Sequence, residues 1–487
     1  MSNNDEIQLR KDMITYPEPD PRLKSGKLSS LLAFMGPGLI IASVSIGSGE
    51  VFFSSRGGAI FSYVFLWAFL LGIIIKGFAI YSGGRYIALT GEHPLTRWGQ
   101  IFPGPKNWFP VVIGILAAIA FPSFAAGFAK FLGQWSVWVF GFGVDNIWAV
   151  FYIIVVAGLV LFSNYGIVEK IQTWIVAFML FMVIVAVFVS SPDWGAIFGG
   201  LIPSIPSEYA SWIVEKYPKI AGRSIPLEVI TYLGALGGGT YDYIGYIGLY
   251  REKKWGLLGN PNLKQIQEQL LLLENGKQLP LLETPNEIAK ARSWLKAIKA
   301  DIFASFAAVF IFSAAFMILG AVILNPQQVI PNDLKIMQYQ SQFLTHISPI
   351  LLFLYQAGVF CAFFGTMYAL SSEVYVWTFY ESFSPASKKI RDMGFKKLTY
   401  IVLAIYGLGG IILILTGLKF TTLVGFASLI GGVFSIGLWA LAMVYTDKKI
   451  MPKAYQMSSI VTIIVTISGI ALTFMGIIAI LQFFKVM

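Results

Sequence analysis

Four ionisable residues lie inside long apolar stretches of the sequence. Glu50, Asp242 and Glu373 are acids, and Lys76 is a base. A charge in the hydrocarbon core of a membrane is costly, so each residue is a candidate for binding or ion movement. If Glu50 and Asp242 face one cavity, the two carboxylates can hold a cation or share a proton. Lys76 either pairs with an acid or extends its ammonium to the membrane interface.

Glycine clusters adjoin two of these acids. Gly47-Ser48-Gly49 precedes Glu50, and Gly237-Gly238-Gly239 is followed by Thr240 and Asp242. In hydrocarbon every backbone N–H and C=O group has to be paired, so an interrupted helix survives only inside protein or beside a cavity. Glycine is flexible enough to permit such an interruption. The sequence therefore predicts two helix breaks, here called the first and the second break, which face one site.

The loose ends of broken helices present N–H groups to anions and C=O groups to cations. We therefore expect both breaks to bind substrate, through Gly47, Ser48, Gly49, Glu50, Gly238, Gly239, Thr240 and Asp242. The candidates for carrying a proton or a coupling ion are Glu50, Asp242, Glu373 and Lys76, and the tentative metal ligands are Glu50 and Asp242. Four tyrosines near the second break either line a polar cavity or pack: Tyr232, Tyr241, Tyr243 and Tyr246.

The elements that position these residues are membrane spans. Only 12% of the 487 residues are charged, 56% are hydrophobic and the mean hydropathy is +0.72. A soluble domain has roughly 25% charged residues, so the composition excludes a soluble enzyme, a disordered chain and a coiled coil. A spanning helix needs about 20 mostly apolar residues. Eleven stretches qualify: 29–58, 60–84, 108–132, 146–163, 168–190, 227–250, 297–324, 344–380, 397–417, 420–445 and 456–485.

The two breaks fall in spans one and six, five spans apart. Interrupted helices at matching positions in two halves are typical of inverted-repeat transporters, whose substrate site lies at the membrane midplane. The sequence thus predicts an all-α membrane protein with a 5+5 repeat and one extra helix. The predicted parts are a tail (1–28), a first repeat (29–191), a connecting loop (192–226), a second repeat (227–445) with an internal loop (251–296), and a final part (446–487) with span eleven.

The net charge of +10 is unevenly distributed along the chain. With the N-terminus inside, 26 Lys and Arg residues fall on the cytoplasmic side and 8 on the other. Cytoplasmic loops carry the excess of basic residues, so we expect a multi-pass protein of the cytoplasmic membrane with its N-terminus inside and its C-terminus outside. The loop 251–296 contains apolar residues at helical spacing, Leu263, Ile266, Leu270 and Leu271, which predict a short amphipathic helix.

Other classes of function find little support in the sequence. One cysteine and two histidines make a zinc centre implausible, and the glycine runs lack the lysine of a phosphate-binding loop. We therefore expect no enzyme, no cofactor and no nucleic-acid partner; the expected partners are the lipid bilayer and a small solute or divalent cation. No span shows the long polar stripe of a channel. A sensor that binds without transporting stays open, as does the oligomeric state.

Short motifs make the sequence resemble the NRAMP family of divalent-metal transporters. The resemblance is carried by Gly36-Pro37-Gly38 at the start of span one, Thr90-Gly91 with Leu95 after span two, Gly234-Ala235 in span six and Gly365-Thr366 in span eight. It implies a fold of the LeuT type, a metal substrate and alternating access. It also implies that the backbone carbonyl of Ala235 is available as a ligand.

The predicted site departs from the motifs of that family. The family has Asp-Pro-Gly-Asn where this chain has Gly47-Ser48-Gly49-Glu50, and Met-Pro-His where it has Gly238-Gly239-Thr240. The soft methionine sulfur is therefore absent. Two substrates stay open: a hard cation such as magnesium, held partly hydrated by oxygen ligands, or a small organic solute such as an amino acid or osmolyte in the space that the glycines leave.

Overall fold

The protein is described here from a computed structural model that covers residues 13–24, 27–273, 276–330, 335–345, 348–418, 423 and 431–483. Every regular element in these ranges is helical. The first half contains α1 (Leu28–Leu32), α2 (Pro37–Ser45), α3 (Ser55–Phe61), α4 (Leu66–Thr90), α5 (Pro94–Ile101), α6 (Trp108–Phe140), α7 (Asp145–Leu161), α8 (Tyr165–Val189), α9 (Trp194–Gly199), α10 (Ser211–Lys216) and α11 (Pro218–Ala221).

The second half continues with α12 (Ile225–Ala235), α13 (Thr240–Lys253), α14 (Leu263–Leu271), α15 (Pro285–Leu319), α16 (Lys335–Thr345), α17 (Leu352–Ala369), α18 (Tyr375–Phe383), α19 (Lys388–Arg391), α20 (Phe395–Leu403), α21 (Gly409–Leu415), α22 (Val433–Ile450) and α23 (Ser459–Phe483). Four π-helical segments lie within longer helical runs: Ile46–Ser54, Gly320–Leu324, Leu370–Val374 and Ala404–Leu408. Short 3-10 turns occur at Pro21–Leu23, Gly256–Gly259, Pro349–Leu351 and Lys453–Tyr455.

Seven helical runs of the described chain are long and apolar enough to cross a membrane: Leu66–Thr90, Trp108–Phe140, Tyr165–Val189, Pro285–Leu324, Pro349–Phe383, Phe395–Leu415 and Ser459–Ile478. The all-helical prediction is confirmed, whereas the count of eleven spans stays a prediction. Span six does not qualify as a single long helix because it is interrupted between α12 and α13, and span one is not among the seven. Span four is the shorter apolar helix Asp145–Leu161, and much of span ten lies outside the described residues.

The helices that carry the predicted site are central in the bundle. Helix α2 packs against α8, α15 and α17, and α13 packs against α2, α4 and α18. Outward-facing positions of α7, α8 and α23 remain apolar and exposed, as expected for lipid contact; examples are Ile154, Trp174 and Phe474. Spans one and six and the helices around them therefore form the interior of the bundle.

The predicted N-terminal tail is partly packed onto the bundle. Ile14 and Leu23 are fully buried, and the Tyr16 hydroxyl donates to the Leu89 carbonyl at 2.7 Å. The backbone N–H of Tyr16 donates to the Glu287 carboxylate at 2.6 Å. The predicted amphipathic helix is confirmed as α14, whose buried side chains are Ile266 and Leu270.

Several glycine pairs outside the breaks permit close helix packing. A Cβ atom on Gly58 would collide with the Met317 carbonyl oxygen, whereas a Cβ on the neighbouring Gly57 would lie at an ordinary 3.5 Å from the Tyr232 ring. The two adjacent glycines thus differ in what surrounds them, and only Gly58 is required by the approach of α3 to α15.

We expect Gly58→Ala to destabilise the protein by about 1–3 kcal/mol, because a methyl group inserted into a packed core forces the backbone apart. The matched control is Gly57→Ala, for which we expect little change. Thermal unfolding of both purified variants in detergent measures the difference. Equal unfolding temperatures for the two variants would contradict this account of the α3–α15 contact.

Candidate functional site

The second break is a four-residue interruption between α12 and α13. Leu236 is extended, with ψ of 136°. Gly237 and Gly238 have φ of +76° and +82°, in the left-handed region that side-chain-bearing residues rarely adopt. Gly239 returns to extended backbone before α13 begins at Thr240. The glycines are therefore required by the backbone path itself, and the predicted break in span six is confirmed.

Two carboxylates accept hydrogen bonds from the N–H groups that the second break exposes. The Gly237 N–H donates to Glu50 Oε1 at 2.6 Å, and the Gly239 N–H donates to Asp242 Oδ2 at 2.8 Å. Glu50 is fully buried and Asp242 is nearly so. The two acids predicted from the sequence to converge thus meet on either side of Gly238.

Lys76 and Tyr243 donate hydrogen bonds to the carbonyl groups of the same segment. The Lys76 ammonium donates to the Leu236 carbonyl and, at 3.3 Å, to the Gly238 carbonyl. The Tyr243 hydroxyl donates to the Gly237 carbonyl at 2.5 Å. Lys76 has no exposed surface, so it does not reach the membrane interface. The negative charges of Glu50 and Asp242 act on the ammonium, in line with the pairing alternative.

The first break takes a different form from the second. Span one passes from α2 through the π-helical segment Ile46–Ser54 into α3 without an extended residue. Gly47, Ser48 and Gly49 lie in this segment and Glu50 follows them. A π-helix is a widened helical turn that often marks functional sites. Span one is therefore wound more widely at the predicted position, and Glu50 projects from it to the second break.

The remaining predicted residues fall into two groups. Thr240 is the first residue of α13, and its buried hydroxyl has no hydrogen-bond partner; Ala235 is the last residue of α12. Glu373 lies elsewhere, in the π-helical segment Leu370–Val374, where Glu252 is its acidic neighbour. The structure therefore brings Glu50, Asp242 and Lys76 together and places Glu373 apart from them.

Sequence reasoning missed two tyrosines beside the second break. The hydroxyls of Tyr241, Tyr375 and Tyr406 are buried without a hydrogen-bond partner. The rings of Tyr375 and Tyr406 have centroids 5.9 Å apart, and Tyr375 interacts electrostatically with Asp242 and Tyr241. Buried hydroxyls usually find partners, so this group adds free oxygen ligands or water positions next to Asp242. Only their position in apolar spans could have indicated them.

A cluster of charges joins the two interrupted spans beyond one side of the breaks. Glu228 at the start of α12 accepts from Arg56 at 3.1 Å, from Arg223 at 3.1 Å and from the Tyr232 hydroxyl at 2.9 Å. We call this group the Glu228 cluster. Arg56 thus pairs with an acid, and Glu228 is buried.

A second cluster joins the same spans beyond the opposite side of the breaks. Asp301 of α15 accepts the N–H groups of Gly36 and Gly38, at 2.8 Å and 3.0 Å, at the start of α2. The hydroxyls of Tyr246 and Tyr250 on α13 donate to the same carboxylate at 2.8 Å and 3.2 Å. The Asp301 cluster and the Glu228 cluster thus tie spans one and six together on the two sides of the site.

The ligands that face the second break are oxygen atoms of carboxylates, carbonyls and hydroxyls. No group of three or more His, Cys, Asp or Glu residues suited to a metal ion occurs in the part of the chain that the structure describes. A cation here would therefore rest on two carboxylates together with backbone carbonyls. Oxygen ligands of this kind suit hard cations that keep part of their water.

Comparisons with known proteins place this arrangement in context. A family model described as natural resistance-associated macrophage protein-like (Nramp) matches residues 38–482. The divalent metal cation transporter MntH of Caldanaerobacter subterraneus subsp. tengcongensis is 28% identical over 191 residues, which are 38% of this chain and 44% of that protein. MntH of Staphylococcus aureus is 26% identical over 190 residues, 37% of this chain and 40% of that protein.

The chain thus spans less than half the length of these curated relatives. Among solved structures, a mutant of the manganese transporter of Eremococcus coleocola matches with a TM-score of 0.66 at 14% identity, covering 97% of this chain and 91% of that chain. Such a likeness indicates a shared fold over almost the whole length.

We expect Tyr243→Phe to lower the free energy of unfolding by about 1–3 kcal/mol, because the Gly237 carbonyl would lose its buried donor. Tyr406→Phe is the matched control: its hydroxyl is equally buried but donates no hydrogen bond in the structure, so its removal should be nearly neutral. Chemical or thermal unfolding in detergent compares the two. A neutral Tyr243→Phe would mean that the Gly237 carbonyl does not depend on this hydroxyl.

Proposed function

Because this chain belongs to the Nramp family, we propose that it is a secondary transporter that moves a divalent metal cation by alternating access around its two interrupted spans. The observation that carries the proposal is the meeting of Glu50, Asp242 and the Lys76 ammonium at the second break. Two buried carboxylates and several carbonyl oxygens converge there. Such a place favours a positive charge over a neutral solute.

The proposed ligands are the carboxylates of Glu50 and Asp242, with backbone oxygens of both breaks completing the site. The set includes Gly47, Ser48, Gly49, Ala235, Gly238, Gly239 and Thr240. Because these ligands are oxygens, we propose a hard or partly hydrated divalent cation, such as Mg²⁺ or Mn²⁺. The relatives carry the name of divalent metal cation transporters, so the metal is preferred over an organic solute. Glu373 and Lys76 are the further candidates for ion coupling.

The proposed arrangement in the membrane follows the distribution of charge. We place the N-terminus in the cytoplasm and the C-terminus outside the cell, in the cytoplasmic membrane, because basic loops remain inside. The two halves are 29–191 and 227–445, with span eleven in 446–487. The Asp301 cluster then faces the cytoplasm and the Glu228 cluster the exterior. Alternating access requires that the two clusters open in turn.

We expect Glu50→Gln to weaken Mn²⁺ or Mg²⁺ binding by about 30-fold or more, because a buried charged partner of a cation is worth about 2–5 kcal/mol. Isothermal titration on purified protein and uptake into proteoliposomes measure binding and flux separately. The control is Glu287→Gln. Glu287 is a buried carboxylate outside the breaks, where it accepts a hydrogen bond from the Tyr16 N–H. Unchanged binding in Glu50→Gln would contradict the proposed site, and binding without flux in the wild type would indicate a sensor.

The two clusters provide a test of alternating access. Cys361 is the only cysteine, so Ser45→Cys in a Cys361→Ser background gives one reporter near Gly238. We expect Glu228→Gln to increase its labelling by an impermeant thiol reagent added from outside, and Asp301→Asn to increase labelling from inside. The reporter protein without either change is the control. Increased labelling from the same side for both changes would contradict the assignment of two opposed gates.

A further inference from the structure

Lys76 is the least expected residue of the site. It lies near the middle of α4, a span of 25 residues, and no part of it is exposed. A lysine in this position usually extends its ammonium to the membrane interface. Lys76 instead turns inward to the second break. The structure therefore keeps a basic side chain where a charge is costly, which calls for an explanation beyond packing.

The surroundings of the Lys76 ammonium are those of a bound cation. It donates to the carbonyl oxygens of Leu236 and Gly238, and the carboxylates of Glu50 and Asp242 interact with it electrostatically. An ammonium has three donors and no acceptor, so it selects a shell of oxygen atoms. Hard metal cations select the same shell. The oxygens around Lys76 thus mark where a cation can be held.

We propose that Lys76 is a tethered cation that occupies the substrate position between the two breaks, and that the metal binds by displacing its ammonium from the Leu236 and Gly238 carbonyls. This inference rests on the proposed function, because it names the ligands and the resident competitor of that same site. It adds Leu236 to the proposed ligands and makes Lys76 a determinant of affinity.

The charges of the site explain why such a competitor is useful. Without a cation, two buried carboxylates would lie at the same segment beside carbonyls that lack a donor, and such a site would be costly. Lys76 supplies one positive charge and two hydrogen bonds whenever the substrate is absent. Substrate and ammonium repel each other, so only one of them can occupy the shared oxygens at full strength.

The stem of Lys76 lies against the break. Gly237 has no side chain, and a Cβ atom placed there would lie 3.7 Å from Lys76 Cδ and 3.3 Å from Ile73 Cδ1. The stem of Lys76 therefore passes along the bare backbone of Gly237. Its four-carbon chain has the flexibility to withdraw the ammonium from the two carbonyls without moving α4.

The first experiment removes the tethered charge. We expect Lys76→Met and Lys76→Gln to bind Mg²⁺ or Mn²⁺ at least about tenfold more tightly than the wild type in isothermal titration. Lys76→Gln retains a donor for the carbonyls and covers the case in which Lys76→Met does not fold. The matched control is Lys130→Met, another buried lysine in an apolar helix, which donates to the Leu418 carbonyl at 2.7 Å; its affinity should equal that of the wild type. Equal or weaker binding in a folded Lys76 variant would overturn the inference and indicate a lysine that only supports the break.

The second experiment does not depend on metal binding. Lys76→Ala removes three methylene groups and the ammonium, which correspond to n-propylammonium. We expect that ion to raise the unfolding temperature of Lys76→Ala saturably, with no such effect from 1-propanol or on the wild type. Absence of a specific effect would overturn the cation-shaped site. If n-propylammonium binds while no form of the protein binds metal, the assignment of Lys76 is supported and the proposed metal transport fails.

Discussion

The structure depends on one requirement: polar backbone groups at the second break have to be satisfied inside the protein. Residues 236–239 leave the helix in the middle of an apolar span, where water does not compensate for lost hydrogen bonds. Glu50, Asp242, Lys76 and Tyr243 together accept or donate to five of these groups. The burial of these four polar side chains therefore has one physical cause, which is the need to pair the backbone groups of the second break.

That requirement also couples parts of the chain that are distant in sequence. Glu50 belongs to span one, Lys76 to α4, and both act on span six. Beyond the break, the Glu228 and Asp301 clusters tie the same two spans at their opposite ends through buried carboxylates. A buried carboxylate that loses its partners is strongly destabilising. Opening either end would therefore break a well-satisfied set of buried contacts, and the proposed alternating access requires new partners for these carboxylates.

The sequence was sufficient for the features that depend on local composition. Glycines beside acids predicted the second break, and the spacing of Ile266 and Leu270 predicted α14. Features that depend on the relative register of helices were not readable. The partners of Lys76, and the burial of Glu228 and Asp301, follow from which helix faces which. Glycine composition likewise did not distinguish the π-helical first break from the unwound second one, because Gly47-Ser48-Gly49 permits both. The π-helical segment packs against α12, α15 and α17, contacts that the sequence does not reveal.

The loss of soft ligands and the presence of Lys76 lead to one consistent view of the site. If all three groups are ionised, the net charge of Glu50, Asp242 and Lys76 is −1. This charge is smaller in magnitude than the +2 charge of a divalent cation. A site of this kind does not bind a bare metal ion by charge alone, so carbonyl dipoles, the hydroxyls of Tyr241, Tyr375 and Tyr406, and retained water have to contribute. Such binding is weaker and less selective for soft metals than a thioether site. The transport that we propose requires release of the substrate, and a hydrated hard cation held loosely by oxygen, with a lysine able to replace it, fits the chemistry of this interior.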